Sequence, residues 1–239
     1  MRPAQTEELR ARIAGSASLF VLTGAGISAE SGLPTFRGAG GLWRTHRVED
    51  LASPEGFDRD PRLVWTWYSE RRQAHRGAVP SPAHAALAAL ERAVPDFTLA
   101  TQNVDSLHLR AGSRNVLELH GQLREARCTG CALRRSLEEP LPLDQIEHAC
   151  GGRWRPDIVW FGEALPSGVW ARAVEAAARA DLVLVVGTSA LVNPAALLAT
   201  RYAPRAFVVE INPQATVVSE RVDLSIRAGA SDVLPAAVP

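Results

Sequence analysis

The sequence predicts an α/β protein, a doubly wound parallel sheet with a smaller inserted module. Three observations point there. Four short apolar runs, Leu19–Thr23, Phe97–Thr101, Leu182–Val186 and Phe207–Ile211, are each bounded by polar or glycine-containing turns. Runs buried on both faces are typical of parallel sheets covered by helices. Segments of helical pattern lie between them, and such alternation implies a doubly wound sheet. Two stretches break the alternation: about 34–80 is rich in Arg and Trp without a strong strand, and about 123–156 holds all three Cys.

Residues 6–14 read as an opening helix. Thr6 is placed to cap it, Glu7 and Glu8 suit its positive end, and Leu9 and Ile13 share a face. The run Leu19–Thr23 stops at Gly24, and its shortness makes it a strand. Asp60-Pro61 starts a helix over Leu63–Gln73. Ser81-Pro82 starts another, in which Leu87, Leu90 and Val94 recur at i, i+3 and i+7. Val169–Ala180, rich in Ala with Arg and Glu, reads as helix.

At 239 residues with 46% apolar and 22% charged residues, the chain fits one or two compact units and excludes wholesale disorder. The 26 basic residues balance 26 acids, and every one of the 26 is Arg. Zero net charge argues against a nucleic-acid partner, which needs a basic surplus. The lack of Lys excludes a Walker-type phosphate loop. No apolar run approaches the ~20 residues that span a bilayer. The start, MRPAQTEELRAR, has no long apolar stretch and does not read as a secretory signal. An odd count of three Cys suits a reducing compartment. The expectation is a cytoplasmic protein with neither nucleic-acid nor membrane partner. Nothing calls for an obligate assembly, so it is expected to be a monomer.

Gly24-Ala25-Gly26-Ile27-Ser28-Ala29-Glu30-Ser31-Gly32 follows the first strand. Such a turn lets backbone N–H groups approach a phosphate, although a GxG alone also serves as a plain strand-to-helix turn. Pro34-Thr35-Phe36-Arg37-Gly38-Ala39-Gly40-Gly41-Leu42-Trp43 comes next, an Arg and aromatics among glycines, which suits a flap over a ligand. Thr101-Gln102-Asn103-Val104-Asp105 ends an apolar strand, where doubly wound sheets bind ligands. Asn103 and Asp105 are two apart, so an extended backbone would point both to one side. An Asx turn is the competing reading.

The string GAGISAESGLPTFRGAGGLW resembles the first signature of the sirtuins, NAD-dependent protein lysine deacylases. The resemblance continues through Thr101–His108, Leu119-His120-Gly121, Val159–Glu163, Gly187-Thr188-Ser189 and Glu210-Ile211-Asn212, covering roughly residues 15–232. It implies a Rossmann-like NAD-binding domain of residues 1–33, 81–122 and 157–239. Residues 34–80 and 123–156 would form the inserted module, one part helical and one part zinc-ribbon-like.

For NAD it implies Gly24, Ala25, Gly26, Ser28, Glu30, Thr35, Phe36, Arg37 and Trp43 from the first signature. Gln102, Asn103 and Asp105 would meet the nicotinamide and ribose. Gly187, Thr188, Ser189 and Asn212 would hold the adenosine half, with Ala230 at the adenine. Of six His, His84 reads as a packing or surface residue and His108 as the end of a turn, and His46 and His75 have no evident partner. His120 matches the family's general base, and an imidazole pKa of about 6.5 suits that work. The implied substrates are acylated-lysine proteins or peptides. The implied products are nicotinamide, free lysine and O-acyl-ADP-ribose. Val159–Glu163 resembles the peptide-binding segment, where a substrate adds as a short strand.

Tyr68 and Arg71 are three apart on one helix face. They match the sirtuin pair associated with malonyl, succinyl or glutaryl lysine, where a guanidinium and a phenol grip a carboxylate. Ala39 is small at a channel position where deacetylases often carry a bulkier residue. An Arg in an Arg-rich helix is otherwise an ordinary solvated residue. Cys128, Cys131 and Cys150 match three of the four Cys that hold the family's structural zinc. The fourth is missing, which leaves three readings: His148 or Glu147 completes the site, the site is weak, or the module is metal-free. An ordinary deacetylase, an ADP-ribosyl transferase and an NAD-sensing module without turnover are the competing functions.

Overall fold

The computed structural model describes residues 3–35, 47–137 and 139–239. The expected sites Phe36, Arg37, Ala39 and Trp43 lie outside them.

Strands β1 (Ser18–Thr23), β2 (Asp96–Thr101) and β3 (Val116–Glu118) form half of a six-stranded sheet. Strands β7 (Leu182–Val186), β8 (Phe207–Ile211) and β9 (Leu224–Ile226) form the other half. The order is β3-β2-β1-β7-β8-β9, and every pairing is parallel. This is the doubly wound order in which the chain leaves β1 in one direction and β7 in the other, opening a crevice at their carboxyl ends.

Side chains alternate across the sheet, as strand geometry requires. Leu19 and Val21 join Leu182, Leu184 and Val186 on one face, and Phe20 and Leu22 join Val183 and Val185 on the other. The first face is covered by α1 (Pro3–Gly15), α6 (Pro82–Ala93) and α9 (Ala230–Ala237). The second is covered by α8 (Ser167–Arg179) and a 3-10 turn at Ala195–Ala199. Ser81 caps α6, with His84 accepting from the Ser81 amide.

A second core lies beside the sheet. Its helices are α3 (Val48–Leu51), α4 (Pro54–Arg59) and α5 (Pro61–Gly77), with Asp60 capping α5 through Leu63 N. Its strands β4 (Gly121–Cys128), β5 (Arg134–Ser136) and β6 (Trp154–Ile158) pair antiparallel in the order β5-β4-β6. Phe57, Trp65, Trp67, Tyr68, Trp154 and Trp160 bury together here. Trp65 Nε1 donates to the Trp154 carbonyl at 2.7 Å, and Arg72 Nε donates to the Leu123 carbonyl at 2.7 Å. These cross-links tie α5 to the antiparallel strands. No helix among the described residues is long and apolar enough to cross a membrane.

Three details differ from the sequence expectation. The first helix starts at Pro3, so Thr6 lies inside it instead of capping it. Proline is tolerated in a first helical turn, where its missing N–H has no partner to lose. Helix α5 runs to Gly77, past the expected Gln73. Strands β3 and β9, three residues each, were too short to show a pattern.

Candidate active site

The tips of β1 and β7 approach as closely as glycine allows. Gly24 N donates to Val186 O at 3.1 Å, and Gly26 N donates to Gly187 O at 2.7 Å. A Cβ on Gly26 would stand 2.7 Å from Gly187 O, and one on Gly24 would stand 2.6 Å from Thr188 Cβ. Gly187 has φ +59, where a side chain is also strained. The three glycines therefore let two backbone turns line one crevice, a cradle that side chains would fill. That suits the close approach of a dinucleotide.

A cleft of about 890 Å³ opens at these tips. Gly24, Ala25, Gly26, Glu30, Thr35, Gln102, Asn103, Gly187, Thr188, Ser189, Asn212 and Ala230 all line it. Gln102 Nε2 donates to Thr188 Oγ1 at 3.0 Å, bridging β2 to β7, and Asn212 Nδ2 donates to the Thr188 carbonyl at 2.9 Å.

Ser28 and Asp105 are placed behind the cleft wall. Asn103 Nδ2 donates to the Gly24 carbonyl at 3.0 Å and to Ser28 Oγ at 3.2 Å. Ser28 Oγ in turn donates to Asp105 at 2.7 Å. Asn103 and Asp105 thus converge on Ser28, but through a turn, because β2 ends at Thr101. Asp105 also accepts from Leu107 N at 2.9 Å, which is the Asx geometry. Burial raises the Asp105 carboxyl, while the bonds from Leu107 and Ser28 pull it back. With both amide hydrogens used, Asn103 keeps its amide oxygen as an acceptor.

His120 stands where the chain passes from β3 of the parallel sheet to β4 of the antiparallel one. Gly121 makes the passage possible: its φ is +80, and a Cβ there would meet Asp157 O at 2.0 Å. His120 Nδ1 lies 3.0 Å from the Gln102 carbonyl. A carbonyl only accepts, so Nδ1 carries the hydrogen and Nε2 keeps its lone pair. Burial lowers the His120 pKa, partly offset by the Gln102 carbonyl. The ring is thus neutral at physiological pH, and His120 lines the cleft.

Three other histidines, His75, His84 and His108, are buried away from the cleft. His108 Nε2 meets Thr23 Oγ1 at 2.9 Å, and its ring packs on His84 at 4.7 Å. Burial lowers His84 to about 4 and His108 to about 3. His75 is buried in α5 and is lowered to about 3, first by burial and then by Arg71.

Tyr68 and Arg71 line the same cleft as His120, so Arg71 is not on a solvated face. The Arg71 guanidinium lies 4.7 Å from the Trp67 ring centroid. Burial lowers its pKa to about 10, which leaves it a cation at neutral pH. Burial pushes the Tyr68 phenol up to about 12, which keeps it protonated.

Cys128, Cys131, His148 and Cys150 offer ligand atoms within 4.8 Å of one another. His148 Nδ1 is 3.1 Å from Cys150 Sγ and 3.6 Å from Cys131 Sγ, while Cys128 and Cys150 sulfurs are 3.5 Å apart. Three sulfurs and one ring nitrogen fit a tetrahedral zinc ion. Glu147 instead pairs with Arg153 at 3.0 Å. The close spacing of His148 and Cys150 works because Gly152 lets the loop fold back, where a Cβ would meet Gly130 N at 2.5 Å.

The sequence did not point to the loops Leu191–Pro194 and Pro213–Val217, which also line the cleft. The only local marks were Asn193-Pro194 and Asn212-Pro213, ordinary turn signals. Glu210 holds the second loop. It accepts from Thr216, from Ser219 at 2.7 Å and from Ser225 at 2.8 Å, and it pairs with Arg227 at 2.7 Å.

Comparisons with known proteins agree with this geometry. The Sir2 family model matches residues 24–194. An NAD-dependent protein deacylase of Thermus thermophilus is 50% identical over 238 residues, covering 98% of this chain and 94% of that one. The crystal structure of a Sir2 homolog–NAD complex superposes with a TM-score of 0.91 at 46% identity, covering 97% of this chain and 92% of the other. A Sir2 protein bound to a myristoylated histone peptide gives a TM-score of 0.80 at 34% identity, covering 99% and 96%.

Proposed function

This chain belongs to the Sir2 family and is an NAD-dependent protein deacylase; on that premise we propose that it favours acidic acyl groups on lysine, succinyl or malonyl over acetyl. The observation that carries the preference is the placement of Tyr68 and Arg71 on the cleft that His120 also lines. An acidic acyl chain reaching this wall would meet a buried cation and a protonated phenol. A charge-assisted hydrogen bond contributes about 1.5–3 kcal/mol.

When bound, NAD supplies the ribose carbon that takes up the acyl group as nicotinamide leaves. The glycines at the tips of β1 and β7, with Gln102, Asn103, Thr188 and Asn212, are the groups that would hold the dinucleotide. His120 takes a proton at Nε2, held in that tautomer by the Gln102 carbonyl. Ser28 and Asp105 act one layer back by fixing the Asn103 amide. An acylated peptide would lie along Val159–Glu163, where Phe161 is exposed. Residues 1–33, 81–122 and 157–239 form the NAD-binding unit in this reading, and 34–80 with 123–156 form the inserted module. Three Cys outside any disulfide suit a reducing cytoplasm, and in this reading the protein acts there as a monomer.

The test is a comparison of kcat/KM on succinyl and acetyl peptides for the parent and Arg71→Met. The variant should lose about 10- to 100-fold on the succinyl peptide and far less on the acetyl one. Equal losses on both would refute the preference.

A further inference from the structure

We propose that Trp160 is a positioning residue for acyl specificity: its indole N–H occupies the acceptor side of the Tyr68 hydroxyl, so that the phenol's own hydrogen is donated to the carboxylate of an acidic acyl chain. The inference rests on the acyl preference proposed above.

Trp160 Nε1 lies 3.0 Å from Tyr68 Oη, in a buried bond across 92 positions of sequence. An indole nitrogen is a donor only, so the direction of this bond is fixed. Ser, Thr or neutral His in that place would leave the direction free. A phenol has one hydrogen to give. With the Tyr68 oxygen accepting from Trp160, that hydrogen must turn elsewhere, and among the described residues it meets no acceptor. Tyr68, Arg71 and Trp160 all line the cleft. An unused donor beside a buried cation therefore faces space open to a ligand, and both groups suit an anion.

The indole is itself held on several sides. The Arg155 guanidinium stacks 3.4 Å from its ring centroid, and the Phe57 ring lies 5.3 Å away. Glu163 accepts from the Trp160 amide at 2.8 Å and grips Arg155 at 2.6 and 2.9 Å. Arg155 also donates to the Ile158 carbonyl at 2.9 Å. A ring clamped this way holds its N–H in one direction, which positioning requires. A residue there only to fill space would need no such clamp.

The test is a double-mutant cycle with Trp160→Phe, Tyr68→Phe and the pair, read as the ratio of kcat/KM on succinyl to acetyl peptide. Trp160→Phe should lower the ratio about three- to tenfold through the succinyl KM, with the succinyl kcat changing less. It should lower the ratio little further once residue 68 is Phe. If the indole merely packs, Trp160→Phe lowers the ratio by one factor whether residue 68 is Tyr or Phe, or leaves it unchanged; either result overturns the proposal. Should Trp160→Phe melt below assay temperature, 3-benzothienylalanine at position 160 removes the N–H while keeping the ring shape, and the same outcomes apply. Arg71→Met, run alongside, separates the two readings. A ratio it leaves unchanged overturns the acidic-acyl preference and this proposal together. A ratio it lowers, beside a Trp160 effect independent of Tyr68, overturns this proposal alone.

Discussion

The parallel sheet and the region beside it solve the same packing problem with different materials. The sheet buries aliphatic side chains on both faces, Leu19, Val21, Leu184 and Val209 on one and Phe20, Leu22, Val183 and Val185 on the other. The second region buries indoles, guanidiniums and a thiol. Arg72, Arg135 and Arg155 lie over Trp65, Trp154 and Trp160, and Cys128 is buried beside them. Aliphatic burial is additive and tolerant of shape, worth about 25 cal/mol per Å². A core of cations, aromatic faces and metal ligands depends on direction, and a lost partner leaves a buried charge or donor exposed to penalty. The difference makes the sheet tolerant of substitution and its neighbour dependent on particular partners. His120 stands at the one passage from β3 to β4, which brings both to the cleft.

Removal of the metal should separate the two regions most widely. Zinc contributes apparent folding free energy of about 10–16 kcal/mol in small zinc-finger peptides. Chelation, or Cys128→Ser, should abolish amide-exchange protection in β4, β5 and β6 while β1 and β7 stay protected. Zinc should be found at one ion per chain before chelation and lost after it. Uniform loss of protection across both sheets would show that the second region is not a separately stabilised unit.

Next in size is the passage itself. His120→Ala should lower deacylation by about 10²- to 10⁴-fold, the usual contribution of a general base. NAD binding measured by calorimetry should survive, because the glycine cradle belongs to the sheet. Turnover near that of the parent would remove His120 from the mechanism.

The smallest effect is one of pH. His84 and His108 beneath the sheet are lowered by burial to about 4 and about 3, and His75 in α5 to about 3. Unfolded histidines have a pKa of about 6.5. Between these values the unfolded chain binds more protons, so stability rises with pH there. The contribution is complete above about pH 6.5 and is lost as pH falls toward 4, at no more than about 1.4 kcal/mol per pH unit for each group. Denaturant midpoints at pH 8, 7, 6 and 5 should hold steady at first and then drop. A midpoint unchanged from pH 7 to pH 5 would mean that these rings are not held neutral.

Much of the sheet was legible because its signals are local. An apolar run such as Leu182–Val186 states its own burial, and Gly24-Ala25-Gly26 after a strand states a close approach. His120, Asn103 and the Tyr68–Arg71 pair stood out through their motifs and spacing. Strand β3, at three residues, carried no pattern, although it delivers His120. The walls at Leu191–Pro194 and Pro213–Val217 left only ordinary turn marks.

The sequence by itself therefore determined the doubly wound architecture and the glycine crevice, since periodicity and turn chemistry act over a few neighbours, and its motifs singled out His120, Asn103, Tyr68 and Arg71, which line the cleft. The tertiary structure alone decided that His148 and not Glu147 completes the sulfur cluster. It also decided that Ser28 and Asp105 stand behind Asn103, and that the Trp160 indole points at the Tyr68 phenol 92 positions away. Those outcomes depend on the direction of contacts between segments far apart in the chain, and direction is a property no local pattern encodes.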